Sequence, residues 1–142
     1  MKYLISLIIT MLITTTSFAA DITVEMLNKR ASDNAVMVYS EDISRIDVGD
    51  TITWVPTTKG HNVHFLAGPD GWDIPKKSKF NKEVSITFDT PGVYLYQCTP
   101  HKSMGMIAIV VVGGDTSNKD AIAKIKMFGK SKKKLPKLLE QL

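Results

Sequence analysis

Between residues 21 and 112 the chain reads as short strand-like runs separated by turn residues, and this punctuation limits what it can fold into. Residues 22–27 open the series, followed by Val36–Tyr39 and by residues 43–48, which end at a Gly49-Asp50 turn. Thr51–Val55 alternates apolar and polar side chains and stops at Pro56, and residues 62–65 form a further short run. Val84, Ile86 and Phe88 alternate with Ser85 and Thr87, a half-buried strand ended by Thr90-Pro91-Gly92. Residues 93–97 lead into Cys98, and residues 106–112 make a continuous, largely β-branched run that stops at Gly113-Gly114. About eight strands at this spacing predict an all-β sandwich or barrel. Residues 67–80 lack strand periodicity and read as a surface loop with room for one helical turn.

Composition changes after Gly113-Gly114. Ser117 with Asp120 three residues later resembles a capping box, and Ile122, Ile125 and Phe128 recur at helical spacing until Gly129. A second helix is expected from about Leu135, with Pro136 in its first turn and Leu138, Leu139 and Leu142 on its apolar side. Apolar stripes with lysine-rich outer faces predict two helices packed on the sandwich. The expected division is therefore a sandwich over residues 21–114 and a helical extension over 115–142.

Residues 1–20 read as an export signal. Lys2 precedes a nearly all-apolar run over residues 3–12, and Ser17-Phe18-Ala19 fits a small-x-small cleavage site. The run is short for a membrane span, and no cysteine follows it to carry a lipid anchor. Cleavage after Ala19 or Ala20 predicts a mature, single-domain periplasmic protein of roughly 122 residues. That mature chain carries a net charge of +3. Residues 20–114 hold nine basic and eleven acidic groups, while residues 115–142 hold eight lysines and three acids. The basic character thus belongs to the tail, and nucleic-acid binding is a poor inference for an exported chain.

Export makes the single cysteine informative. Cysteines in an oxidising compartment usually pair as disulfides, and one exposed free thiol is an oxidation liability. Cys98 sits in Cys98-Thr99-Pro100-His101-Lys102-Ser103-Met104-Gly105-Met106, which brings thiolate, imidazole and thioether together within nine residues. A mononuclear copper electron-transfer site combines two imidazoles, one thiolate and a weak axial thioether. His61, in Gly60-His61-Asn62, is the candidate second imidazole. His64 lies three residues beyond it; in an extended strand the two rings point to opposite faces, so His64 is expected at the surface.

Other chemistries fit less well. A thiol nucleophile with a histidine base would lack an orienting partner and an oxyanion signature here. A copper oxidase or nitrite reductase needs further metal sites, and a chain with three histidines lacks the ligands. An immunoglobulin-like domain is suggested by Tyr96-x-Cys98 but lacks a second cysteine. A copper chaperone or storage module uses the same ligand types and stays open, although such proteins favour more open, flexible sites. No enzymatic activity is expected.

Several stretches resemble the pseudoazurins of the cupredoxin (type 1 blue copper) family: Met26-Leu27-Asn28-Lys29, Val48-Gly49-Asp50-Thr51 and Thr58-Lys59-Gly60-His61-Asn62-Val63. Thr90-Pro91-Gly92-Val93-Tyr94, the Cys98-to-Met106 loop and the helical tail extend the likeness over essentially the whole mature chain. The resemblance implies an eight-stranded Greek-key sandwich with two C-terminal helices and one type 1 copper held by His61, Cys98, His101 and Met106. It implies that Met106 is the axial ligand and that Met104 packs beside the site. It also implies that Asn62 braces the ligand loop and donates toward the sulfur, and that Pro100 flanks the exposed histidine.

From this follows an expectation of a monomeric, one-electron shuttle. His101 would present its ring edge within an apolar collar of Gly60, Pro100, Met104 and Met37. Lys29, Lys59, Lys76, Lys77, Lys79 and Lys102 would form a basic ring around it. By the resemblance, acidic patches on a copper nitrite reductase or a cytochrome would be the partners. Gln97 departs from the lysine that pseudoazurins often carry there.

Overall fold

The computed structural model describes residues 19–142. The expected export signal therefore lies, but for its last two residues, outside the described part. Eight strands form two four-stranded sheets. The first has the order β2 (Val36–Tyr39), β1 (Asp21–Lys29), β4 (Thr51–Val55) and β6 (Val84–Thr87). The second has the order β3 (Ile43–Ile46), β8 (Ile107–Val112), β7 (Gly92–Gln97) and β5 (His64–Ala67). Pairing is antiparallel except for β1 with β4 and β3 with β8, which run parallel. Long connections that return to a neighbouring strand give the Greek-key layout.

Each sheet shows its place in its burial pattern. In β1, Val24 and Met26 are fully buried while Thr23 and Glu25 face solvent. On the outer face of that sheet, hydroxyl pairs tie β4 to β6, Thr51 to Thr87 and Thr53 to Ser85, each at 2.8 Å. Every residue of β7 and β8 is buried. A strand covered on both faces reads as a continuous apolar run, and this is why residues 106–112 show no alternation.

The two covers are different. Between the sheets lies an aromatic core in which Trp54, Phe65, Phe88, Tyr94 and Tyr96 pack mostly edge to face. On the other side of the second sheet, Leu95, Ile107 and Ile109 meet Ile122, Leu135, Leu138 and Leu139 of the C-terminal helices. The molecule is thus sheet on sheet with a helical third layer over β7 and β8.

Three local expectations are corrected. The Ser117–Asp120 capping box does not form: α1 spans Lys119–Ala123, and its cap position, Asn118, makes no side-chain cap bond. Asn118 instead exchanges two 2.8 Å bonds with the backbone of Val93, where β7 has run past the end of β5. The helical spacing to Phe128 is not realised either, since Phe128 lies beyond α1 and is half exposed. Finally, α2 spans Lys130–Leu139, so it begins five residues before Leu135 and carries Pro136 in its interior. Pro136 faces solvent, where water can serve the carbonyl that its missing N–H leaves free. The 67–80 connection contains a turn at Pro69–Trp72, closed by a 3.1 Å bond. No helix among the described residues is long and apolar enough to cross a membrane.

Candidate metal centre

One end of the sandwich gathers the residues that the sequence singled out. Cys98 directly follows β7, and its N–H donates to the Met106 carbonyl at 2.9 Å, extending the ladder by one bond. The chain then turns: His101 N–H donates to the Cys98 carbonyl at 3.1 Å, and a single 3₁₀ turn, Lys102–Met104, follows. The His101 carbonyl accepts from Met104 N–H at 2.9 Å and from Met106 N–H at 3.3 Å. These bonds close residues 98–106 on themselves. Met106 is fully buried in the same core cluster as Cys98, whereas Met104 is 43% exposed.

His61 reaches this loop from the β4–β5 connection. Its Nδ1 lies 3.7 Å from Cys98 Sγ and 3.2 Å from His101 Nδ1, while His101 Nδ1 lies 3.5 Å from the sulfur. The three donor atoms all fall within 4.8 Å of one another. His61 and Cys98 are fully buried, and His101 is partly exposed.

The first sheet and the neighbouring loops support the His61 side. Asn28 of β1 accepts a hydrogen bond from His61 Nε2–H at 2.8 Å, which leaves Nδ1 with a bare lone pair directed at the thiol. Tyr39 of β2 donates to the Asn62 carbonyl at 2.9 Å. The Asn62 side chain accepts from Thr99 N–H at 2.8 Å and donates toward Thr99 Oγ1 and the Ser78 carbonyl. Asn81 N–H donates to the His61 carbonyl at 3.0 Å, and its Oδ1 accepts from Gly60 N–H. Asn28, Tyr39, Ser78 and Asn81 were not identifiable from spacing; only Asn28 stood within a stretch of family likeness.

The electrostatics suit a cation. Burial lowers the pKa of His61, helped by the neighbouring His101, and burial lowers that of His101. Both rings therefore favour the neutral form, which has a free lone pair to give. Burial pushes the Cys98 thiol up, against the backbone amides of Asn62 and His101, which favour the thiolate. A water-poor pocket with one soft sulfur and two neutral imidazole nitrogens suits a soft or borderline transition-metal ion. By donor chemistry the residues present fit copper.

The other expected residues differ in exposure. Pro100 and Gly60 are exposed, and Met37, at φ 51°, is half-buried against the inner core. Lys29, Lys59, Lys76, Lys77 and Lys79 are exposed; Lys102 is half-buried, with its ammonium 5.2 Å above the Phe128 ring. His64 stands outside the cluster, in β5, opposite Gln97 in β7. Gln97 is buried, and its Nε2 lies 3.4 Å from His64 Nδ1.

Residues 24–113 match the family model for copper-binding proteins of the plastocyanin/azurin family. A putative pseudoazurin of Rhizobium leguminosarum bv. viciae is 42% identical over 127 residues, covering 87% of this chain and 81% of the relative. The solved pseudoazurin of Methylobacterium extorquens AM1 superposes with a TM-score of 0.78 at 37% identity, covering 86% of this chain and 98% of that one. The pseudoazurin of Hyphomicrobium denitrificans gives 0.79 at 35% identity, over 87% and 98%. The chain belongs to the plastocyanin/azurin family of copper-binding electron carriers, the cupredoxins, and within it to the pseudoazurins.

Proposed function

We propose that His61, Cys98, His101 and Met106 hold the family's single type 1 copper ion and that the protein shuttles one electron at a time through it. The observation that carries this reading is the convergence of two imidazole nitrogens and a thiol sulfur within 4.8 Å, with His61 and Cys98 buried and His101 partly exposed. Bound there, copper supplies a one-electron Cu(II)/Cu(I) couple that accepts soft sulfur and imidazole donors in both states. The chain holds the donors in one geometry. Cys98 and Met106 are tied to each other and to His101 through backbone bonds, and Asn28 holds the His61 ring. Met106 is favoured over Met104 as the axial donor because it is buried beside Cys98, whereas Met104 faces solvent.

Cu(II) added to the mature protein is expected to give an intense blue thiolate-to-copper band. That band should vanish in Cys98→Ser and survive in Met104→Leu; a band lost on Met104→Leu but kept on Met106→Leu would reverse the axial assignment. Reversible voltammetry is expected of a shuttle. Tight Cu(I) transfer without redox cycling would instead favour the chaperone reading.

The proposed partners are redox proteins with acidic patches, such as a copper nitrite reductase or a c-type cytochrome, met by a monomer. Exposed Lys29, Lys59, Lys76, Lys77 and Lys79, with Lys102, support a basic ring around His101. Charge steering makes such encounters fast and salt-sensitive. Transfer rates that ignore ionic strength would remove the ring from the account.

The proposed compartment is the periplasm, reached by an export signal cut after Ala19. Ala20 N–H donates to Asp50 Oδ1 at 2.7 Å, and Ala20 C=O accepts from Thr51 N–H at 3.0 Å. A cut after Ala19 keeps both contacts and turns the first into an ammonium on a carboxylate; a cut after Ala20 loses both. The mass of the exported protein decides between them.

A further inference from the structure

Helix α2 opens directly against the ligand loop. Its N-cap, Gly129, has φ 55° and ψ −131°, a conformation natural only to glycine. A Cβ at Gly129 would stand 2.9 Å from Ser103 Cα and 3.0 Å from Ser103 C, so the close approach of the two backbones also excludes any side chain. Two residues on, Ser131 is 1% exposed, and its hydroxyl donates to the Lys102 carbonyl. A Cβ on Gly105 would meet Lys130 Cβ at 3.5 Å.

The rest of α2 is anchored independently of the loop. Leu135, Leu138 and Leu139 pack in the cluster that holds Ile107 and Ile109 of β8, and Lys134 pairs with Asp42 at 2.7 Å. A helix fixed to the second sheet thus rests its first turn on Lys102, Ser103 and Gly105. These residues form the turn that separates His101 from Met106. The backbone bonds around this turn are accepted by the Cys98, His101 and Gly105 carbonyls, and the Lys102 carbonyl has its partner in Ser131.

We propose that Gly129 and Ser131 are positioning residues of the metal centre. Acting through Ser103 and Lys102, they fix the 3₁₀ turn and so the relative placement of His101 and Met106. The C-terminal helix is then part of the site's scaffold as well as a cover for the sheet. This proposal rests on the ligand assignment above.

The test compares Ser131→Ala and Gly129→Ala with Ile86→Ala, a change in a half-buried residue of the other sheet. In the metal-free full-length protein, exchange of the Met104 and Met106 amides is expected to rise about fivefold to tenfold in Ser131→Ala, the loss of about one hydrogen bond. It should stay unchanged in Ile86→Ala once global stability is allowed for. In the Cu(II) protein, Ser131→Ala should shift the thiolate-to-copper bands and the copper hyperfine splitting, and Ser131→Thr, which keeps the hydroxyl, should restore them. Ser131→Ala with wild-type spectra and wild-type loop exchange, but lowered stability, would overturn the proposal even if Gly129→Ala fails to fold. Absence of a blue band in the unaltered protein would count against the ligand assignment instead, and the metal-free exchange data would still decide this proposal.

Discussion

The two histidines of the centre live in different surroundings. His61 is fully buried, its Nε2 is tied to Asn28, and its connection is strapped by Asn81, Ser78 and Tyr39 from neighbouring strands and loops. His101 sits on a nine-residue loop, is partly exposed, and the polar contacts of its ring run inward through Nδ1, to Cys98 and His61. One ring belongs to the wall of the sandwich and the other to its opening. In the proposed centre the difference divides the tasks: a ring held by the first sheet and its loops would set the geometry, and a ring whose outer edge meets solvent would give an electron a short way in.

The strongest way to break the comparison is to remove each ring in turn. His61→Gly and His101→Gly should both lose the blue band, but added imidazole should restore it only in His101→Gly, where the gap opens to solvent. Equal rescue of both, read by visible absorption, would show the two environments to be alike. Next in size is Asn28→Ala. Loss of the bond that orients a ligating ring typically costs 10–100-fold in metal affinity, so copper competition with a chelator should weaken by about that factor while the His101 side is untouched. Smaller still is Tyr39→Phe, which leaves the Asn62 carbonyl without its donor; urea unfolding of the metal-free protein should report about 1–3 kcal/mol lost.

The smallest effect concerns the loop side through α2. Burial pushes the Asp42 carboxyl up, but hydrogen bonds from Arg30 and Lys134 outweigh it and hold it below its ordinary value of 3.8. A carboxyl lowered in the folded state stabilises it above the ordinary value, and that contribution fades as pH falls from about 4 toward the lowered pKa. Asp42→Asn should therefore flatten the acid limb of the stability curve, with little change to the spectrum at neutral pH. A steep acid limb retained in Asp42→Asn would assign it to other carboxylates.

Much of this was legible before the structure, and the reasons are local. β8 announced itself because both its faces are buried, and β4 and β6 because one face is; those patterns live within a single strand. The ligand loop was legible because Cys98, His101, Met104 and Met106 fall within nine residues. Asn28 was not, because its role depends on β1 lying beside a connection 33 residues away. The start of α2 was hidden for a similar reason. Residues 130–134 are mostly lysine and show no apolar stripe, and the helix begins where Gly129 meets the backbone of Ser103, a contact between distant parts of the chain. The Ser117–Asp120 signal misled because the cap position falls to Asn118, whose carboxamide serves a strand edge and not the helix beside it.

The parallel pairing of β3 with β8 joins Ile43 to Ile109, and β7 meets β5 across the intervening β6 and its connections. The nine-residue loop closes through contacts between near neighbours in the chain, whereas His61 lies 37 residues from Cys98. By itself that loop offers an ion one thiol, one imidazole and two thioethers. The second imidazole is supplied by the packed β4–β5 connection, so the full donor set is a property of the folded sandwich and not of the local segment.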